Sequence, residues 1–182
     1  MGQGGSRVSR ALRFVPLALL LAFLGVVAWR LAIPSDQVVR SQLAGKPVPA
    51  FALPPALPGR PGLASADLAT GRPRLLNIFA SWCVPCIAEA PVLAGLKARG
   101  VAVDGIAVRD RPEDVADFLK RHGDPYQRIG ADMDSRALMT LGAGGVPESF
   151  VVDGKGIVRY QHVGPIMPQD VATILAELEK AR

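Results

Sequence analysis

The sequence predicts an α/β fold, a mixed central sheet of four or five strands with helices on both faces, preceded by one N-terminal transmembrane helix. Three observations predict it. Apolar runs alternate with helical periods between Arg74 and His122, giving strand, helix, strand, helix and so a parallel pair joined by a right-handed crossover. The tetrapeptide Asp153-Gly154-Lys155-Gly156 separates two further apolar runs, as a hairpin turn does. Ahead of these, residues 14–33 form one apolar stretch of 20 residues, about the ~20 that cross a ~30 Å hydrocarbon core as a helix.

Residues 1–13 hold Arg7, Arg10 and Arg13 and no acid, a short basic segment placed in the cytoplasm. From Phe14 to Trp29 the chain reads FVPLALLLAFLGVVAW without a charge. Leu31 to Ile33 extend it past Arg30, whose long side chain can snorkel to the headgroups. Pro16 falls in the first turn of such a helix, where its missing N–H costs little, and Trp29 falls where an interfacial aromatic belongs. A cleaved signal peptide is the alternative, but Trp29, Arg30, Leu31 and Ile33 crowd the place of a small-x-small cleavage site. Residues 14–33 are therefore read as a signal anchor, with the body of the protein outside the cytoplasm.

Residues 34–61 are rich in Pro and Ala; 34–46 reads as a linker and 47–182 as the folded domain. An edge strand is expected around 48–53 and a buried strand over 74–80. Residues 87–99 have Ile87, Ala90, Leu93 and Leu96 near helical spacing, with Gly100 as a stop. A second buried strand is expected over 101–108. A helix over 112–122 has Pro112 near its first position, Glu113 and Asp114 in its first turn and Gly123 at its end. A short helix over 135–141, strands over 148–152 and 157–163, and a helix over 169–181 striped by Val171, Ile174, Leu175 and Leu178 complete the chain.

The 182 residues are 49% hydrophobic and 20% charged, too apolar for a disordered chain. The net charge of +5 would suit a nucleic-acid binder if it lay on the body. It does not: four arginines and no acid fall in residues 1–33, leaving 17 basic and 16 acidic side chains beyond. No nucleic-acid partner is expected, and the basicity concerns membrane insertion.

Cys83 and Cys86 are the only cysteines, spaced C-x-x-C where a buried strand meets a helix. At a helix N-terminus, unpaired N–H groups and the positive end of the dipole stabilise a thiolate, the nucleophile of thiol–disulfide exchange. Cys83 at the cap is then the exposed attacker and Cys86, one turn in, the buried resolver. Pro85 removes an N–H and restrains the turn, so that a redox-active disulfide can close with little rearrangement. A purely structural disulfide is the first alternative, though so short a loop removes little entropy from the unfolded chain. A zinc site is the second, but His122 and His162 lie far outside finger spacing. Covalent haem attachment is excluded because Ile87 stands where C-x-x-C-H requires histidine.

LLNIFASWCVPCIAEAPVL, the GDPY at 123–126 and GVPESFVVDGKGIVRYQHVGP together resemble the DsbE/CcmG family, membrane-anchored thioredoxin-fold thiol:disulfide interchange proteins of cytochrome c biogenesis. The resemblance runs from about residue 45 to the C-terminus. It implies a thioredoxin-like fold and roles for particular residues. Pro147 matches the cis-proline facing the sulfurs, Val146 the residue whose backbone pairs with an extended substrate, and Trp82 the aromatic beside the attacking sulfur. Glu89 falls one helical turn after Cys86, able to approach the resolving sulfur and move a proton. Glu148 matches an acidic rim, and Trp82, Pro85, Val146, Pro147 and Glu148 form the implied substrate contact. Where thioredoxins bury an aspartate six residues before the first cysteine, this chain has Asn77, which cannot relay a proton, so Glu89 or Glu148 must do so.

The resemblance further implies an inner-membrane, single-pass protein facing the periplasm. It would reduce apocytochrome c, or a haem-ligation partner holding it, and be re-reduced by a transmembrane thiol donor of the DsbD/CcdA type. No metal or other cofactor is expected. Two alternatives remain: a broader TlpA/ResA-like reductase for copper-site assembly or redox defence, and a copper chaperone with His162 as third ligand. His122 and His162 otherwise read as ordinary surface or hairpin residues.

Overall fold

A computed structural model describes residues 5–32 and 43–182; residues 1–4 and 33–42, and with them the start of the expected basic segment and most of the linker, lie outside the described residues. The chain divides into two units, 1–38 and 39–182. The first holds a helix, α1 (Gly5–Ala32), which contains Pro16 and exposes Leu17, Leu21, Phe23 and Trp29. Among the described residues, no helix is long and apolar enough to cross a membrane.

The second unit runs β1 (Ala52–Leu53), β2 (Leu63–Ala64), a 3-10 turn at Ser65–Leu68, β3 (Arg74–Phe79), α2 (Val84–Ala98), β4 (Val103–Val108) and α3 (Pro112–His122). It continues with β5 (Ile129–Asp132), α4 (Arg136–Thr140), β6 (Glu148–Val152), β7 (Val158–Val163), a 3-10 turn at Pro168–Asp170 and α5 (Val171–Lys180). The main sheet has the order β5-β4-β3-β6-β7. β3, β4 and β5 are parallel, while β6 runs antiparallel to β3 and β7 antiparallel to β6. This is a mixed thioredoxin-like sheet, and β3 lies at its centre.

Two expectations needed correction. The edge strand over 48–53 contracts to Ala52–Leu53, paired with Leu63–Ala64 in a separate two-stranded sheet. Prolines at 47, 49, 54 and 55 cannot donate to a ladder, and only single bridges form at Pro47 and Pro55. The fifth strand of the main sheet is instead β5, which lies between the helix over 112–122 and the short helix after it, where no apolar period marks a strand.

The pleat of β3 sorts its side chains between two cores. Leu75 and Phe79 pack with Leu93 and Leu96 of α2, Phe118 of α3 and Ile174 of α5. Leu76 and Ile78 face the other way, among Leu63, Ala137 and Leu141. Each such fully buried side chain contributes about 1.5–3 kcal/mol. Asn77 shares the first face, a polar residue set among Leu75, Phe79 and the buried side of α2. At the opposite end of β3 from the cysteines, Arg74 forms a buried ion pair with Asp104 of β4. Burial pushes the Asp104 carboxyl up, and Arg74 opposes that rise.

Gly130 of β5 lies where a Cβ would sit 2.6 Å from the Leu53 Cβ and 3.2 Å from the Leu63 Cβ. The β1–β2 ribbon is seated directly on this backbone. Gly130→Ala is expected to lower stability by about 1–3 kcal/mol through overpacking, read as a lower urea midpoint; an unchanged midpoint would mean the ribbon is free to lift.

Candidate active site

The chain leaves β3 through Ala80, Ser81 and Trp82 and enters α2 with Cys83 as its N-cap. The cap residue is extended (φ −88°, ψ 109°), and its Sγ accepts a hydrogen bond from the Cys86 N–H at 3.2 Å. Sulfur here stands where a cap oxygen ordinarily does. Helix α2 thus begins directly after Cys83, three residues earlier than the periodicity indicated. Pro85 occupies the first turn, where its missing N–H leaves no bond unmade.

Cys83 and Cys86 form a disulfide. Cys83 is 4% exposed and Cys86 1%, so the expected contrast between an exposed attacker and a buried resolver is small in this oxidised form. Exposure belongs instead to the neighbours: Trp82 is 59% exposed and Val84 74%. A mostly apolar cavity of about 480 Å³ opens beside Trp82, lined also by Val108, Arg109, Leu138, Met139 and Val146. Val146 precedes a cis peptide bond to Pro147. Thus Trp82, the residue before Cys83, and Val146, 64 positions further along the sequence, share one cavity.

The turn carrying Trp82 is clamped by Asp110, just past β4. One Asp110 oxygen accepts the Ser81 N–H at 2.6 Å and the other the Ser81 hydroxyl at 2.5 Å. Asp110 follows Arg109, whose backbone takes the left-handed conformation at φ 50°. The end of β4 therefore fixes the approach to the cysteines.

Glu148 is 3% exposed, and its two oxygens accept from the Gly144 N–H and from Gln161 Nε2, each at 2.6 Å. This corrects the expected acidic rim: the first residue of β6 faces inward, and its carboxylate ties down the loop that carries Val146 and Pro147. Its sequence position beside Pro147 could not reveal which way the strand turns it.

Glu89 is fully buried on α2, one turn beyond Cys86. One of its oxygens accepts from Asn77 Nδ2 at 3.0 Å and the other from the Ile166 N–H at 3.0 Å. Burial pushes its pKa from 4.5 to about 7, and the two donors act against that rise. Near neutral pH the acid is therefore divided between protonated and ionised forms, the condition under which a carboxyl best exchanges protons. Asn77 also donates to Ser149 Oγ at 3.0 Å and accepts the Tyr126 hydroxyl at 2.7 Å. The Tyr126 ring stacks on Phe79, 4.7 Å between centroids. Tyr126, Ser149, Asp110 and Ile166 had no assigned part in the sequence reading. Tyr126 lies in the GDPY segment, but its partner is 49 residues away and no local pattern reports the contact.

The histidines have other partners, although His162 is registered opposite Ser149. His122 packs its ring against Phe118. His162 Nε2 lies 3.2 Å from the Pro165 carbonyl oxygen and 3.9 Å from Asp170. Among the described residues, no group of three or more His, Cys, Asp or Glu side chains is placed to hold a metal ion.

The Redoxin family profile matches residues 43–178. The chain is 37% identical over 166 residues to the thiol:disulfide interchange protein HelX of Rhodobacter capsulatus, a match covering 91% of this chain and 93% of that protein. It is 36% identical over 167 residues to the thiol:disulfide interchange protein DsbE of Escherichia coli K12, covering 89% and 90%. A crystal structure described as a thiol:disulfide interchange protein DsbE from Chlorobium tepidum is similar, with a TM-score of 0.63 at 27% identity over 76% of this chain and 96% of that one.

Proposed function

The chain belongs to the Redoxin family and, within it, to the DsbE/HelX thiol:disulfide interchange proteins, and from that premise we propose that it is a membrane-tethered, extracytoplasmic reductant of apocytochrome c disulfides. The observation that carries the reading is a cysteine pair capping α2 with a buried acid, Glu89, one turn further along the same helix.

In the reduced protein, the Cys83 thiolate attacks one sulfur of the substrate disulfide. The substrate's other sulfur leaves as a thiolate and a mixed disulfide forms. Cys86, giving its proton to Glu89, attacks Cys83; the Cys83–Cys86 disulfide closes and the substrate departs as a dithiol. Two electrons pass to the substrate; the sulfur that left first takes its proton from solvent, which had received the Cys83 proton on ionisation, and Glu89 returns the Cys86 proton to the second departing thiolate directly or through water. A transmembrane dithiol carrier of the DsbD/CcdA type then reduces the disulfide, restoring both electrons and protons. No metal or organic cofactor enters this cycle.

Trp82, Pro85, Val146 and Pro147 are proposed to hold the substrate: Trp82 and Val146 by the cavity they share, Pro85 by shaping the first turn, Pro147 by presenting the Val146 backbone to an extended chain. Glu148 would act on substrate only through the loop it ties. The substrate class is a C-x-x-C-H segment whose thiols must be free before haem is attached. Residues 1–13 would lie in the cytoplasm, 14–33 would form a single pass through the inner membrane, and 34–46 would link it to a periplasmic domain, 47–182. The uncharged run from Phe14 to Trp29 and the exposed apolar side chains on α1 support the anchor. Tethering would raise the effective concentration of donor, reductase and haem-ligation machinery on one surface.

Cys86→Ser tests the substrate, because the mixed disulfide then has no internal thiol to resolve it. Full-length Cys86→Ser protein isolated from membranes is expected to carry apocytochrome c, or its haem-ligation partner, in covalent complex. Cuproprotein subunits in their place would overturn the proposal in favour of a TlpA/ResA-like role in copper-site assembly.

A further inference from the structure

We propose that Tyr126 is a positioning residue for the exchange reaction: its hydroxyl fixes the Asn77 amide so that the NH2 end faces the Glu89 carboxyl. The inference rests on reading Cys83–Cys86 as the exchange site but not on the identity of the substrate.

Asn77 is the hub of a buried network in which both ends of its amide are partnered. Its NH2 donates once to Glu89 and once to Ser149, and its oxygen accepts from Tyr126. Asn77 and Glu89 are fully buried, Ser149 is 1% exposed and Tyr126 4%, so water cannot substitute for a missing partner. The two ends of an amide have nearly the same shape, and half a turn of the group exchanges donor for acceptor. After that turn, the Asn77 oxygen would face a Glu89 oxygen. Two acceptors in contact are tolerated only if Glu89 carries a proton to place between them. One amide orientation therefore admits an ionised Glu89, and the other demands a protonated one.

Tyr126 decides between them. Its phenol is pushed well above its usual range by burial, and further by the charges of Glu89 and Asp124, so it remains a hydroxyl and brings a proton to the network. That proton has an acceptor only while the Asn77 oxygen points toward it. Stacking on Phe79 holds the ring, and Arg60, paired with Asp124, accompanies it at the outer end. The ionisable groups around Glu89 and its network are thus Cys86 on its own helix, Tyr126 with Asp124 behind it from the loop before β5, and His162 of β7, registered opposite Ser149. β3 and β6 contribute the neutral Asn77 and Ser149, and the segment before α5 contributes the Ile166 N–H.

The test follows Glu89 directly by carbon NMR of the full-length, reduced protein labelled at glutamate carboxyls, with Glu89→Gln identifying the signal. Tyr126→Phe keeps the ring and removes only the hydroxyl. It is expected to raise the Glu89 midpoint by about 0.5–1 pH unit, as losing a fixed donor to the ionised form does, and to move the pH profile of reduction of a small disulfide equally. Asn77→Ala is expected to raise the midpoint at least as far, and adding Tyr126→Phe to it should change nothing more. A Tyr126→Phe protein that loses thermal stability but titrates like the parent would overturn the proposal, as would a Tyr126→Phe shift that persists in the Asn77→Ala background. None of these readings depends on apocytochrome.

Discussion

Cys83→Ser is expected to abolish disulfide reduction, lowering the rate by at least ~10³-fold to the uncatalysed background. A hydroxyl at this position does not ionise near neutral pH, whereas the thiol has every local reason to. It caps α2, where the dipole favours negative charge, and its sulfur receives the Cys86 N–H at 3.2 Å, a bond that strengthens when the sulfur is anionic. Cys86→Ser should separate the steps, retaining attack and losing release. The fold should survive both changes, since the covalent loop is too short to restrict the unfolded chain by much. Circular dichroism melts would check survival, and reduction assays and cellular c-type cytochrome content would check function. Unimpaired cytochromes in a Cys83→Ser strain would sink the assigned biological role.

The second large effect concerns Glu89 and pH. In the unfolded chain Glu89 titrates near 4.5, and in the folded protein burial raises it to about 7. Below the unfolded value both states are protonated and the site imposes no penalty. As pH rises the unfolded chain ionises first, so folding loses stability progressively until the folded group has also ionised, above about 7. The gap corresponds to ~3 kcal/mol. Glu89→Gln removes the titration but leaves one of the two donors, Asn77 Nδ2 or the Ile166 N–H, facing an NH2. Allowing ~1 kcal/mol for that lost bond, the variant should exceed the parent by ~2 kcal/mol at pH 8 and fall slightly below it at pH 4. Urea unfolding of the reduced proteins at the two pH values measures this; parallel pH dependences would refute it. Exchange through Cys86 should slow about 10²-fold in the same variant, having lost its proton acceptor. The buried acid thus lowers stability under the conditions in which it serves the reaction.

Local rules account for what was legible in the sequence. α3 spans Pro112–His122 as expected, because Pro112 fixes its start and Gly123, at φ 98°, its end. The β6–β7 hairpin was equally clear from its turn. β5 escaped because Ile-Gly-Ala-Asp is short, and its glycine leaves room for the side chains of Leu53 and Leu63, a requirement set by a distant segment. The same division runs through the site. Cys83, Cys86 and Glu89 lie on one helix end, and spacing alone relates them. The bonds among Asn77, Tyr126 and Ser149 span up to 72 positions and depend on strand order. Glu148, placed on a rim by the family resemblance, is instead turned inward, because both faces of this central sheet are covered and its position beside Pro147 does not say which face it takes.

The position of β3 between a parallel neighbour and an antiparallel one has a consequence for how motion reaches the cysteines. Its backbone is paired on both edges, to β4 and to β6, and its amides should be among the slowest in the molecule to exchange with deuterated water, opening only with the fold as a whole. α2 hangs directly from that strand. The segment from Gly142 to Pro147 lies outside the sheet, and its amides should exchange faster than those of β3, so that protection falls from the strand that carries α2 to the loop that carries Val146.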